Sequence, residues 1–386
     1  MKYIENVVSR ANEIELISID EWVELNNAKA VVLYGTGIMG RSALPHLLGL
    51  GLNIVAFSDS NEAKWGRFVD DVLVVPPSQI VERFPDALVI ICFNYCYKTE
   101  VPKTIEMLQT VGCSKCVFYG DLRIIKEIQA LENPLAFGRA ILPKPKHQAE
   151  LCRLYSLLSD SVSKVTLVNV LKDRMSLQEA YEIPSNQIYF PEDIFCLTDD
   201  EVFIDCGAYI GDTMMAFIER VTVFKKYYAF EPDKKSANGF CDAVDGLSKS
   251  LKDKVHFHTK AVGATCENLR FEETGYAGGS RVAETGNTVV TCTTLDKEFY
   301  MSDIKPSIIK MDIEGGEYDA LLGAVATIEK GRPLLAISVY HYPNDLWELP
   351  LLIYDKFPFY SIFLRVYEAG DIVCYAVPRE RVLSRI

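Results

Sequence analysis

The 386-residue sequence predicts an α/β protein with two doubly wound glycine-loop domains joined by a helical segment. Three observations carry this. An apolar strand, a glycine turn and a helix follow one another twice, in "AVVLYGTGIMGRSALPHLLGLGLNIVAFSDS" and in "VFIDCGAYIGDT". An acid ends the next strand of each series, Asp59 lying 24 residues after Gly35 and Glu231 lying 24 after Gly207. Strand patterns are scarce between residues 122 and 200.

In chain order, residues 1 to 25 read as an amphipathic helix with Ile4, Val7, Val8 and Ala11 on one stripe. The first βαβ unit follows, then strands at 72–75, 88–93 and 116–119 and a helix around 99–111. Next come the helical stretches "DLRIIKEIQALE", "HQAELCRLYSLLSD" and "VTLVNVLKDRMS", with the proline-marked joint "LPKPKH" between the first two. The second series predicts strands at 202–205, 227–231, 255–258, 288–292, 307–312 and 334–339. Helices are expected to about 220 and over 317–329. After Pro350 a helix-like stretch leads into "YSIFLRVYEAGDIVCYAVP", an antiparallel hairpin. The expected division is therefore an accessory domain over 1–121, a helical connection over 122–200 and a second α/β domain over 201–386.

A content of 49% hydrophobic and 24% charged residues is that of a soluble globular protein. The net charge of -13 argues against a general affinity for nucleic acid or anionic membranes, which demand a basic face. The first twenty residues lack the apolar core of a signal peptide and no run of about 18 apolar residues occurs, so the cytoplasm is the expected location. Eleven cysteines scattered through apolar stretches suit buried free thiols better than a disulfide framework. Cys92, Cys96, Cys113 and Cys116 superficially suggest a zinc site. If 88–93 and 116–119 are neighbouring parallel strands, the two pairs lie at opposite strand ends, roughly 17 Å apart.

The two loops differ in charge. The first is G-x-G-x-x-G at Gly35, Gly37 and Gly40, free of acids and followed by Arg41, and its helix N-terminus suits a phosphate. With Asp59 positioned for ribose hydroxyls it is a candidate nucleotide site, although such glycines also serve strand-to-helix packing alone. The second loop holds Gly207 and Gly211 between Asp205 and Asp212. A pyrophosphate there would face like charges, whereas a ligand with a cationic end would be welcomed. S-adenosylmethionine, with its ammonium and sulfonium, has that character. On this reading Asp205 holds the cationic end directly or through water, Gly207, Tyr209, Gly211, Asp212 and Thr213 surround the ligand, and Glu231 with Pro232 meets the ribose. Asp212 or Thr213 acting only as helix N-cap is the alternative.

The strand "SIIKMDIEGGE" delivers Lys310, Asp312 and Glu314 at alternate positions, and "LLAISVYHYPND" delivers His341 at the corresponding end of the next strand. Carboxyl ends of strands are where open α/β sheets bind ligands. The expected roles are His341 or Asp312 as general base, with Lys310 and Glu314 orienting acceptor or base. A local ion pair between Lys310 and Glu314, with His341 in packing, stays open. So does a divalent metal on Asp312, Glu314 and His341. The glycine-rich insert carrying Tyr276, Ser280 and Arg281 is expected to shape the substrate mouth without a catalytic role. Tyr340, Tyr342 and Trp347 are candidates either for a stacking wall or for packing.

In order along the chain, "QIYFPEDIF", "EVFIDCGAYIGDT", "YYAFEPD", "KAVG", "TTLD", "IIKMDIEGGEYDALLGA", "LAISVYHYPNDLWELPLLI" and "FLRVYEAGDIVCYAV" occur. Through these motifs, residues 150 to 386 resemble the FkbM-type methyltransferases. The resemblance implies a class I methyltransferase fold, a Rossmann-like seven-stranded sheet ending in an antiparallel hairpin, with S-adenosylmethionine as cofactor. It also implies O-methylation of a carbohydrate, nucleotide-sugar or polyketide-like acceptor. Residues 1 to 121 resemble the small Rossmann-type domain attached to some of these proteins. A nucleotide ligand on that domain and a homodimer stay open. The competing function is an NAD(P)- or nucleotide-sugar-binding protein using the first loop, with a non-catalytic second domain.

Overall fold

The computed structural model describes residues 1–93, 100–131, 141–176, 188–272, 281–282, 286, 288–367 and 371–383. They fall into two compact units, one within Met1–Ala149 and Val168–Tyr181, the other within Glu150–Leu167, Glu182–Tyr367 and Asp371–Ile386. The stretch 122–200 is thus shared between them.

The first unit opens with α1 (Lys2–Asn12) and α2 (Ile19–Asn26). The single helix expected over 1–25 is broken because the Ser18 side chain accepts from the Glu21 amide, starting a new helix, while Ile17 pairs with Ile125. Then come β1 (Val31–Tyr34), α3 (Ile38–Gly49), β2 (Ile54–Ser58), β3 (Phe68–Val69), β4 (Val72–Val75), α4 (Ile80–Arg83), β5 (Leu88–Ile91), α5 (Val101–Thr110), β6 (Cys116–Phe118) and α6 (Lys126–Gln129). The sheet order is β3-β4-β2-β1-β5-β6, parallel except for β3. β1 and β5 are wholly buried apolar runs, as strands covered on both faces must be. Cys92 follows the end of β5 and Cys116 begins β6, so these two lie at opposite strand ends. Cys96 is outside the described residues.

Through α7 (Gln148–Leu157) and α8 (Ser161–Ser176) the chain reaches β7 (Val202–Cys206), α9 (Asp212–Arg220), β8 (Lys226–Phe230), α10 (Lys234–Asp245), α11 (Lys249–Lys252) and β9 (Val255–His258). β10 (Ala261–Val262), β11 (Asn268–Glu272), β12 (Arg281–Val282) and β13 (Thr288–Thr293) form a small sheet of order β10-β13-β11-β12. Then follow β14 (Ile308–Met311), α12 (Glu317–Leu322), α13 (Val325–Gly331), β15 (Leu334–Ser338), α14 (Asp345–Lys356), β16 (Tyr360–Val366) and β17 (Ile372–Pro378). The helix expected over 317–329 is divided at Gly323, where a Cβ would stand 2.0 Å from the Gly263 carbonyl oxygen. α14 begins before Pro350 and carries it in its interior.

The main sheet has the order β16-β17-β15-β14-β7-β8-β9. Its strands run parallel from β15 to β9, and β17 enters antiparallel between β15 and β16. This is the class I methyltransferase arrangement. Chain direction reverses in the sheet order beside β7, which opens a crevice above the carboxyl ends of β7, β8 and β14. Among the described residues no helix is long and apolar enough to cross a membrane.

Candidate active site

The crevice depends first on one glycine. Gly207 follows β7 at φ +80°, and a Cβ there would lie 1.9 Å from the Asp312 carbonyl oxygen, so only glycine lets the loops after β7 and β14 touch. Gly211, at φ +88°, occupies the N-cap position of α9, and no side chain caps that helix. Asp212 therefore opens the helix without acting as its cap, and it faces a cavity of about 270 Å³. Gly207, Tyr209, Thr213, Glu231 and Pro232 line the same cavity. Gly211 packs instead toward Phe240 and Ala243.

Glu231, just beyond β8, accepts from the backbone amides of Tyr209 at 3.0 Å and Asp233 at 2.8 Å, which fixes its carboxylate at the rim of the loop. Burial raises its pKa to about 6 despite those two donors.

Asp205, expected to meet a cationic ligand end, is placed otherwise. Its side chain is 0% exposed and ion-paired with Lys310, Nζ to Oδ1 3.0 Å, and it accepts from the Tyr227 hydroxyl at 2.6 Å. A lysine in the apolar strand β14 requires a counter-charge, and Asp205 is its register partner on β7. Lys310 also donates to the Gly207 carbonyl at 2.6 Å, bracing the glycine loop, and its ammonium stands 5.3 Å from the Tyr189 ring centroid. Although burial opposes it, the charges of Asp205 and Asp312 raise the Lys310 pKa.

Beyond β14 and β15 a second group converges. His341 is 3% exposed, with Nε2 lying 3.4 Å from Asp312 Oδ1 and 3.7 Å from Glu314 Oε2, and Nδ1 lying 3.1 Å from Glu317 Oε1. Burial lowers its basicity, but Glu317, Glu314 and Asp312 outweigh that and hold its pKa well above the usual value. Asp312 accepts from the hydroxyls of Tyr189 at 2.7 Å and Tyr340 at 3.1 Å. Burial works against its ionisation, yet His341, Lys310 and the Tyr189 hydrogen bond keep its pKa low. Glu314, held at φ +56°, accepts no hydrogen bond among the described residues and leaves 28% of its side chain exposed. Burial, reinforced by Asp312 and Glu317 and partly offset by His341, raises its pKa to about 7. Asp312 and Glu314 both line the cavity.

Asp312, Glu314 and His341, expected near one another, are neighbours here; Glu317 and Tyr189 were not singled out in the sequence, and Tyr340, expected in a stacking wall or in packing, joins the group through its hydroxyl. Glu317 opens α12 five residues after Asp312, and its carboxylate accepts from the Ile313 amide at 2.8 Å. Asp312, Glu317 and His341 present ligand atoms within 4.8 Å of one another, as a metal site would. Each imidazole nitrogen stands within ion-pair distance of a carboxylate but makes no hydrogen bond, so the group suits an imidazolium as well as a metal ion. Trp347 is buried in α14, Tyr342 has its ring against Gly315, and Tyr340 lines the cavity. Tyr276 and Ser280 lie outside the described residues. Arg281 is in β12.

In the first unit Asp59 accepts from the Thr36 amide at 3.0 Å, the Thr36 hydroxyl at 2.5 Å, the Asn61 amide at 2.9 Å and Lys64 Nζ at 2.8 Å. A Cβ on Gly40 would meet the Gly35 carbonyl oxygen at 2.0 Å, and Arg41 is ion-paired with Asp70. Gly40 is therefore required for α3 to pack on its loop, whatever the loop binds. Gly37 is the N-cap of α3.

Residues 205–368 match the Methyltransferase FkbM domain. No curated protein matches the chain significantly. Among solved structures, the methyltransferase FkbM from Methylobacillus flagellatus KT is similar over 97% of this chain and 99% of its own, at 20% identity and a TM-score of 0.70, which shows the shared fold. An rRNA methylase from Streptococcus thermophilus is similar over 47% of this chain and 89% of its own, at 13% identity and a TM-score of 0.29. Aeropyrum pernix fibrillarin in complex with S-adenosyl-L-methionine covers 47% of this chain and 69% of its own, at 9% identity and a TM-score of 0.29. The unit that holds the seven-stranded sheet therefore carries, over residues 205–368, a match to the FkbM methyltransferase domain, and it shares the fold of the Methylobacillus flagellatus protein.

Proposed function

We propose that the protein is an S-adenosylmethionine-dependent O-methyltransferase whose acceptor is a hydroxyl of a small, sugar-like molecule, and that Glu314 is its general base. The observation that carries the cofactor reading is Glu231. Its carboxylate is oriented by two backbone amides at the rim of a glycine loop and retains acceptor capacity toward the cavity, which suits the two hydroxyls of a ribose. Tyr209, Asp212, Thr213 and Pro232 would enclose the rest. Asp205 acts through Lys310, which holds the Gly207 carbonyl in place. When bound, the cofactor supplies a methyl group already activated by the adjacent sulfonium.

For a hydroxyl acceptor the chain must position the oxygen and take its proton. Glu314 is a cavity-lining carboxylate without a donor of its own, and a pKa near 7 suits a base acting at neutral pH. The geometry disfavours His341 in that role, because an imidazole surrounded by three carboxylates holds its proton. His341 instead fixes Asp312 and Glu314 from behind, and the Asp312 carboxylate organises the Tyr189 and Tyr340 hydroxyls. Calorimetric titration with S-adenosylhomocysteine and with NAD tests this reading. It predicts one site for S-adenosylhomocysteine, and heat from NAD alone would favour a dinucleotide-binding protein using the Gly35 loop.

A further inference from the structure

Resting on the methyl-transfer reading above, we propose that the acceptor carries a protonated amine beside its reacting hydroxyl, as an amino sugar or aminocyclitol does, and that Asp312 and Glu314 select it.

The charges that face the cavity are unequal. Its described lining includes five carboxylates and two ammonium groups. Both ammonium groups are already matched, Lys310 to Asp205 at 3.0 Å and Lys260 to Glu298 at 2.9 Å. No described arginine side chain lines it. A phosphate or carboxylate on the acceptor would therefore meet acids without a cation free to receive it.

The carboxylates also divide by place. Glu231 follows β8 and Asp312 follows β14, with β7 between them. Two strand spacings separate their attachment points, about 10 Å. The group beyond β14 is thus distinct from the one assigned to the ribose. There, Asp312 receives two tyrosine hydroxyls and keeps lone pairs for another donor. Glu314 accepts no hydrogen bond among the described residues while facing the cavity. The His341 imidazole is 3% exposed, is not among the described lining residues and stands against Glu317. An ammonium has three donors and no acceptor, the complement of this group.

Equilibrium binding of three adenosyl compounds tests the inference without knowledge of the natural acceptor. Each is S-adenosylhomocysteine with its sulfur replaced by nitrogen and extended by a propyl arm ending in an ammonium, a hydroxyl or a phosphate. EDTA is present throughout so that no divalent ion bridges the phosphate. The ammonium arm should bind about tenfold tighter than the hydroxyl arm, and the hydroxyl arm about tenfold tighter than the phosphate arm, with both gaps narrowing as salt rises. Glu314→Gln should shrink the ammonium preference to about threefold or less. A hydroxyl or phosphate arm that binds as tightly as the ammonium arm, or a preference undiminished in Glu314→Gln, would overturn the proposal. If S-adenosylhomocysteine itself fails to bind, the cofactor reading falls and this inference with it; if it binds and the three arms rank equally, only this inference falls.

Discussion

Lys310 and Asp205 are register partners on neighbouring parallel strands, and they meet as an ion pair in which neither side chain is more than 2% exposed. The same ammonium donates to the Gly207 carbonyl, so the pair ties the glycine loop to the strand that leads into Asp312. Lys310→Met leaves a buried carboxylate with only the Tyr227 hydroxyl and should cost about 3–5 kcal/mol. The double variant Lys310→Met/Asp205→Asn should recover a substantial part of that loss. Urea denaturation of the two variants measures both, and a loss below about 1 kcal/mol in the single variant would contradict the assignment.

Glu314, as the proposed base, should govern the pH dependence of turnover. With its carboxyl near 7 in the unliganded protein, the fraction able to accept a proton increases as pH rises through that value, so kcat/KM should climb toward a plateau above about pH 8. Glu314→Gln should lower kcat about 10²- to 10⁴-fold and remove this limb, with S-adenosylhomocysteine affinity nearly unchanged. A pH-rate profile of the variant that keeps the limb would exclude Glu314 as the base.

His341 is a positioning residue in this account. Its imidazolium opposes the rise in the Glu314 pKa, so His341→Gln should move the acid limb of the profile to higher pH. A reduced plateau with an unmoved limb would mean that His341 only supports the fold.

Cofactor affinity has its own titration. In the proposed role Glu231 must be ionised to accept from both ribose hydroxyls, and burial, which raises its pKa to about 6, brings its protonation close to neutrality. The dissociation constant for S-adenosylhomocysteine should therefore rise as pH falls from 7 to 5, and it should flatten in Glu231→Gln. Calorimetry across that range checks both.

Arg365 anchors the helical segment of the second unit. On β16 it is 2% exposed and meets Asp160 at 2.5 Å and Asp193 at 2.6 Å. It also donates to the Ser163 hydroxyl at 3.0 Å. Arg365→Met should cost about 3–5 kcal/mol and lower Tm by about 6–15 °C. A Tm within about 2 °C of the parent protein would show that these ion pairs contribute little.

Much of this organisation was legible in the sequence because buried parallel strands are short apolar runs between glycine turns, and β1, β5, β7 and β15 are of that kind. The small sheet was less visible. β11 lies half exposed, and its sequence "NLRFE" announces neither a core strand nor a clean alternation. In the site, alternate spacing placed Asp312 and Glu314 together beyond β14, and strand order placed His341 beside them. Glu317 was missed because a helix-opening glutamate usually needs no partner beyond the dipole. Asp205 was placed at the end of the strand expected over 202–205, and strand position alone does not say which charge its side chain meets. The available signal was Lys310 itself, a cation inside "IIKM" that must have a carboxylate within reach.

The measurement that tests the central claim most directly is the S-adenosylhomocysteine affinity of the wild-type protein, Glu231→Ala and Asp59→Ala, compared by calorimetry. The account predicts one site per chain, weakened about tenfold or more in Glu231→Ala and unchanged in Asp59→Ala. Binding that is indifferent to Glu231, or that is lost in Asp59→Ala, would contradict it.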